Sequence, residues 1–496
     1  MTLLGGGPAG ASAAYHLAKY SAASGASFNI TIIERESRIG GRSTTVNAHD
    51  DPRFPVELGA SIFVKVNRIL VDATEDFNLS SFGIKSANAQ APGPELAVWD
   101  GERFVFVQYS GSTWWNIAKM LWRYGLAPMR TINLMKSIVA KFLKMYDEPV
   151  FPFESLTQAA QDVGLLDVTT STGEQYLKDH SVSGDFAHDI VQASTRVNYG
   201  QNLKYIDALT SNVCMATEGA MSIEGGNWQI FDNMVSASNS RKLLNTEVKN
   251  VERQKDGSYV LGFDAAYGKA SDSLTHQSFD SVIMAAPYQF ANVTFKNALQ
   301  HIPDSIPYVK LHVTLFTSPH LPSPAFFNLP PDQSVAKTVL TTLPKDEEPG
   351  KGSKSCGSPG FFSISRLDTI ANPTNGQTEY TYKIFSPKPI DHRFLSKLLG
   401  IKHDDESATV TADEKDVTWV YRKVWHSYPY EYPRVTFEEI KLDDGFYYTS
   451  GMESFISTME TSALAGKNVA RLLHDQWKMS KVEFTPQPWD FTTRIG

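Results

Sequence analysis

The sequence predicts an α/β protein, a Rossmann-type dinucleotide-binding domain into which an α+β substrate domain is interleaved. Three observations carry that prediction. Near the N-terminus a short apolar strand runs into a glycine turn and then a helix of small residues, over 3–18. A second strand at 29–33 ends on an acid, Glu34. Strand-like apolar runs return at 279–287 and 445–452, and the latter leads into another small-residue helix at 458–470.

The first element is the most specific. In Gly5-Gly6-Gly7-Pro8-Ala9-Gly10, Gly5 makes the tight turn, Gly7 lets a pyrophosphate approach the backbone, and Gly10 lets the helix pack closely on the sheet. Pro8 and Ala9 open that helix, whose unpaired N–H groups and partial positive charge face the phosphates. Glu34, with Arg35 beside it, stands at the distance from the turn where an acid binds ribose hydroxyls.

Arg38-Ile39-Gly40-Gly41-Arg42-Ser43 follows the second strand directly. This Arg-flanked glycine pair resembles the signature of the FAD-binding oxidoreductases, whose folds are of the glutathione reductase and amine oxidase type. The resemblance implies FAD, with Gly41 and Arg42 against it, and since no Cys or His sits in a recognisable attachment motif, non-covalent binding is expected. It also implies that Glu57 to Ser61, through Gly59, Ala60 and Ser61, passes the flavin ring, and that the strand around Val248 meets the adenine. Gly451, Glu453 and Met459, in the last strand–helix unit, would hold the ribityl chain and the pyrimidine end. A helix N-terminus there stabilises negative charge on a reduced ring.

On this reading the cofactor domain is assembled from residues 1–105, 215–300 and 430–480. A helical block, 106–214, and a strand-rich block, 301–429, lie between, and 481–496 form a tail. In the helical block Ile132, Met135, Val139, Phe142 and Leu143 recur at helical spacing, with Lys136, Lys141 and Lys144 elsewhere on the surface. That pattern fits a core-packed helix with a solvated basic face, or a surface that rests on a membrane. The strand-rich block carries β-branched and aromatic runs at 308–317 and 417–425, broken by polar loops at 344–350 and 403–406.

Composition narrows the function. The 496 residues are 42% hydrophobic and 20% charged, enough for a large core, and the formal charge of −8 argues against a nucleic-acid binder. Cys214 and Cys356 cannot make a disulfide framework, and the histidines show no shared ligand spacing, so no metal is expected. Three Asn-x-Ser/Thr sequons, at Asn29, Asn78 and Asn292, together with a first strand that begins abruptly, suggest a removed leader and a secretory, lysosomal or vacuolar glycoprotein.

Three further stretches resemble the prenylcysteine oxidases, also called prenylcysteine lyases. They are Arg196-Val197-Asn198-Tyr199-Gly200-Gln201, then Ser222-Ile223-Glu224-Gly225-Gly226-Asn227, and the run from Met459-Glu460-Thr461 to Lys467-Asn468; Trp425-His426-Ser427-Tyr428-Pro429-Tyr430 is similar too. The resemblance implies an oxidase that converts S-farnesyl- or S-geranylgeranyl-cysteine and dioxygen into cysteine, a prenyl aldehyde and hydrogen peroxide, with no obligate protein partner. Hydride leaves a carbon that is both allylic and bonded to sulfur, so placement matters more than a strong base. Candidate catalytic residues are Glu57 as a base, His426 to place water or the cysteine headgroup, and Arg196 to meet the substrate carboxylate. Each is equally readable as a structural group. Tyr199, Tyr428 and Tyr430 are candidate walls of an apolar tunnel. Two rival readings stay open: a flavin oxidase that dehydrogenates or cyclises another prenylated metabolite, and a non-catalytic prenyl carrier of the Rab GDP-dissociation-inhibitor type.

Overall fold

The computed structural model describes residues 1–83, 93–109, 113–182, 184–264, 274–401 and 415–483. The expected loop at 403–406 and the tail beyond 483 lie outside them.

A six-stranded sheet centres the cofactor domain, in the order Lys441–Asp443, Phe446–Tyr448, Val282–Met284, Thr2–Leu4, Thr31–Ile33, Arg241–Leu243. Neighbours run parallel except at the Lys441–Asp443 edge. The inner strands, such as TLL, TII and VIM, are buried on both faces and so read as unbroken apolar runs rather than alternation. Residues from the N-terminus, the middle and the end of the chain thus share one sheet.

Two helices, Pro8–Ser24 and Met459–Glu483, cross in backbone contact on that sheet. A Cβ added at Gly466 would stand 2.0 Å from the Ala9 carbonyl oxygen, and Ser12 Oγ donates to the Ala463 carbonyl at 2.6 Å. The small residues noted in both helices exist for this approach. A four-stranded sheet, ordered Thr275–Phe279, Tyr259–Asp264, Glu247–Arg253, Thr294–Phe295, belongs to the same half of the molecule.

The second half is a seven-stranded sheet, ordered Trp419–Pro429, Tyr308–Ser318, Thr378–Ser386, Ser363–Ala371, Thr338–Thr341, Leu96–Trp99, Phe104–Gln108. The last two strands correct the expected boundary. The first cofactor segment ends before Leu96, not at 105, because Leu96–Trp99 pairs in parallel with Thr338–Thr341, Val98 against Leu340. Such a pairing across more than two hundred residues leaves no local trace in the sequence.

Helices between 113 and 213 complete the fold. Ile138, Met145, Phe151, Leu156 and Leu209 share one apolar core with Leu3, Ile32 and Ile283 of the central sheet. The helical layer is therefore fastened to the cofactor domain. Among the described residues no helix is long and apolar enough to cross a membrane.

Candidate functional site

The glycine turn has the geometry its spacing demands. Gly5 has φ +112°, and a Cβ added at Gly10 would stand 2.0 Å from the Gly5 carbonyl oxygen, so only glycine fits there. Gly7 differs: the nearest atom to an added Cβ is Gly41 Cα at 3.8 Å. Gly7 and Gly41 thus face each other across a cradle that side chains would fill. Helix Pro8–Ser24 has Pro8 at its start, no side-chain cap and no acid in its first turn, which leaves its N–H groups for a ligand anion. Glu34 is buried and accepts from Gly6 N at 2.7 Å and Glu36 N at 2.8 Å. A carboxylate has lone pairs beyond those two, so it braces the turn and can still meet a ribose. These residues fit a dinucleotide.

Neighbouring elements close around the cradle. Arg35 reaches the Phe290 carbonyl at 3.4 Å, and Arg38 donates to the Gly41 carbonyl at 2.9 Å. Arg42 donates to the Ser427 carbonyl and to Glu453 Oε1, both at 2.6 Å, and Tyr308 donates to Glu453 Oε2 at 3.2 Å. Glu453 is buried, so this bridge joins the glycine pair to the C-terminal unit, and losing one partner would strand a buried charge. Gly451 packs on Glu438, Met459 opens the long C-terminal helix, and Val248 is buried in the strand Glu247–Arg253.

The stretch expected to pass the ring is pinned at three points. Glu57 Oε1 accepts from Asn227 N at 2.6 Å, Asn227 Nδ2 donates to the Ala60 carbonyl at 2.8 Å, and Lys383 Nζ donates to Ser61 Oγ at 2.7 Å and the Glu57 carbonyl at 3.2 Å. Ala60 is held at φ +45°, an unusual conformation for a residue with a Cβ. An added Cβ at Gly59 would lie 3.9 Å from the Trp425 ring and 4.0 Å from the Arg42 carbonyl. Asn227 explains why its glycine-rich segment matters: it is the brace for this loop.

Lys383 was missed by sequence reasoning. Its signal was available, since a lysine inside the buried run Tyr382-Lys383-Ile384 is out of place unless it is paired. Burial pushes the Glu57 carboxyl up and the Lys383 ammonium down, each opposed by the other's charge. Glu57 Oε2 is buried without a hydrogen-bond partner, so this pair is the polar centre of the loop Glu57 to Ser61.

One candidate assignment changes. Arg196 is fully buried and its guanidinium is spent on protein: it donates to Asn202 Oδ1, to Thr341 Oγ1, and to the carbonyls of Ser355 and Cys356, all within 3.1 Å. It clamps the helix Gln192–Tyr199 to the seven-stranded sheet and does not meet a substrate. His426 stacks on Phe290, ring centroids 4.6 Å apart, while strand alternation turns Trp425 toward Gly59. Tyr430 stacks on Tyr432 at 5.6 Å, and its hydroxyl points to the Gly352 turn.

Tyr199 and Tyr428 do come together, ring centroids 5.1 Å apart, in an apolar cluster with Phe186, Leu203 and Cys214. The Tyr199 hydroxyl donates to the Ser457 carbonyl at 3.1 Å, just ahead of the helix Met459–Glu483. Gln201 holds this wall in place, donating to the Pro429 carbonyl and accepting from Glu431 N. This buried apolar cluster is thereby packed against the start of the last helix.

Residues 107–484 match the family described as prenylcysteine lyase, and residues 4–73 match an NAD(P)-binding Rossmann-like domain. The chain belongs to the prenylcysteine lyase family. Relatives in that family include farnesylcysteine lyase of Arabidopsis thaliana, 28% identical over 95% of this chain and 87% of the relative, and prenylcysteine oxidase 1 of Mus musculus, 28% identical over 96% and 89%. Solved structures of similar architecture include a putrescine oxidase variant, with TM-score 0.57 and 13% identity over 96% of this chain and 98% of that one. Cyclohexylamine oxidase from Brevibacterium oxydans matches with TM-score 0.56 and 14% identity over 96% and 99%. The amine-oxidase-like fold expected from the Arg-flanked glycine pair is the one this family member has.

Proposed function

We propose that the protein is an FAD-dependent oxidase that cleaves the thioether of S-farnesyl- or S-geranylgeranyl-L-cysteine. One observation carries the reading beyond family membership: the Tyr199–Tyr428 wall is hydrogen-bonded to Ser457, at the entrance of the last cofactor-binding helix. The reaction balances as thioether plus water plus dioxygen giving prenyl aldehyde, cysteine thiol and hydrogen peroxide. Bound FAD supplies the two-electron acceptor that dioxygen reoxidises.

The chain's own residues place and enclose. The Gly7–Gly41 cradle and the uncapped helix take the pyrophosphate, Glu34 the ribose, and the loop Glu57 to Ser61 lies along the ring with Asn227 and Lys383 holding its shape. Tyr199, Tyr428 and their cluster give the isoprenoid an apolar surface. No proton is removed in the hydride step, so Glu57 acts through the loop it shapes and not as a base. Non-covalent FAD is supported by the burial of both cysteines, Cys214 in the tyrosine cluster and Cys356 beneath the Arg196 clamp. A secretory or vacuolar setting is supported by the exposure of Asn29, Asn78 and Asn292, where sugars could be attached.

Product analysis tests the activity. Purified protein given S-farnesyl-L-cysteine in air should yield farnesal, cysteine and peroxide in equal amounts. The analogue with methylene in place of sulfur should yield none. Equal turnover of both would replace this reading with sulfur-independent dehydrogenation of a prenylated metabolite.

A further inference from the structure

The chain leaving the loop Glu57 to Ser61 becomes the edge of a small ledge. Phe63 N donates to the Met221 carbonyl at 2.9 Å, and Met221 N to the Phe63 carbonyl at 2.8 Å. On its other side strand Met221–Ile223 pairs antiparallel with Ser81–Gly83, which sets Phe82 opposite Ser222 and Gly83 opposite Met221. Residues directly opposite in such a ladder share a face, and successive residues alternate. One face therefore carries Phe63, Met221 and Ile223. It turns inward, for Phe63 and Ile223 are buried in the large core and Met221 packs against it. The other face carries Ile62, Ser222 and Phe82 in a row.

That outer row has the wrong composition for water. Ile62 is 39% exposed and Phe82 38%, with Ser222 half-buried between them. A half-buried sheet sets apolar residues inward and polar ones outward, whereas this ledge is apolar on both sides. Val66, 40% exposed, stands just beyond. Single exposed apolar side chains are ordinary, but neighbours on one face mark a surface that something apolar covers.

Position says what. Asn227 ties the ledge to the loop: its Oδ1 accepts from Ile223 N at 2.9 Å, its Nδ2 donates to the Ala60 carbonyl at 2.8 Å, and its N donates to Glu57 Oε1 at 2.6 Å. Ala60 is itself exposed, two residues before Ile62. The row thus begins where the loop ends, and one side chain holds both. Phe82 lies two strand spacings from Ile62, about 10 Å, on the side away from the loop. A long apolar chain whose reacting end sits at the loop would run along it.

We propose that this row is the bed of the isoprenoid chain and measures its length, with Ile62 beneath the end nearest sulfur and Phe82 beneath the far end. The inference rests on the function proposed above, which needs an open apolar face besides the buried Tyr199–Tyr428 wall. A chain long enough to reach Phe82 gains its contact, and a shorter one stops over Ser222. Both apolar residues are positioning residues that set which chain binds.

Binding of unreactive analogues is the test: S-geranyl-, S-farnesyl- and S-geranylgeranyl-L-cysteine with methylene in place of sulfur, titrated into the flavin-loaded protein and read from the flavin absorption band. Phe82→Ala should raise Kd for the farnesyl and geranylgeranyl analogues about tenfold and shift the geranyl analogue far less, with the thermal midpoint unchanged. Phe82→Leu should restore most of the farnesyl binding. Ile62→Ser should weaken all three by a similar factor. With the thioethers themselves, the losses should fall on KM rather than kcat. Absence of analogue binding, no effect of Phe82→Ala, or an equal loss at every chain length overturns the proposal. Chain-length-dependent binding by a protein that leaves S-farnesylcysteine unoxidised would overturn the proposed function and leave the ledge standing. Turnover indifferent to Phe82 would do the reverse.

Discussion

At the cofactor cradle the backbone makes the contacts: Gly10 touches Gly5, Gly7 faces Gly41, and a helix start is left uncapped. At the tyrosine wall the side chains make them. Tyr199 meets Tyr428 from a different element, and Gln201 joins the two segments across 228 residues of sequence. The contrast shows why the two regions carry information so differently. Backbone crowding admits glycine alone and does so at a set spacing, whereas an apolar wall needs only volume and shape, which many side chains supply.

That contrast can be broken most sharply at the glycines. Gly10→Val should abolish the native fold and yield insoluble protein, since its Cβ has no space. Gly7→Val should fold, with an unchanged circular dichroism spectrum, yet purify colourless, since its side chain occupies only the cradle. A Gly7→Val protein carrying full flavin would show that the cofactor lies elsewhere.

Arg196→Met comes next. Truncating a buried guanidinium that serves four partners should lower stability by about 3–5 kcal/mol in urea titrations, with KM for S-farnesylcysteine unchanged in the folded fraction. A raised KM at unaltered stability would return Arg196 to the substrate carboxylate.

Buried carboxyls on both sides of the molecule give a smaller, graded effect. Burial pushes Asp207 and Glu460 up to about 7, and raises Glu57 and Glu431 as well. Unfolded, these groups titrate near about 4. The native state therefore holds more protons between those values, so the stability they contribute below about pH 4 is lost as pH rises through 7. Tm should be higher at about pH 5 than at about pH 8. A Tm that rises over that interval would contradict the assignment of these carboxyls as neutral. The smallest effect belongs to Tyr199→Phe, which removes one hydrogen bond and should cost about 1 kcal/mol while leaving turnover nearly intact.

How much of this was legible follows the same division. Gly5, Gly7, Gly10, Glu34 and the Arg38–Ser43 segment could be read because each answers a local backbone demand. The Leu96–Gln108 hairpin could not, for its partner strand is Thr338–Thr341. Arg196 stood out as a residue type, but only tertiary contacts reveal that its donors are all engaged within the protein. Lys383 was readable as an anomaly inside an apolar strand, although its partner Glu57 was not. For His426 and Tyr430, neighbouring strand and turn positions decide the direction, and the aromatic run gave no sign of which side faces inward.

Anaerobic mixing of the purified protein with S-farnesyl-L-cysteine tests the central claim most directly. The account predicts rapid bleaching of the oxidised flavin absorption band, then its recovery with release of farnesal and peroxide when air is admitted. A band that is present and stays unmoved by both farnesyl and geranylgeranyl thioethers would contradict it.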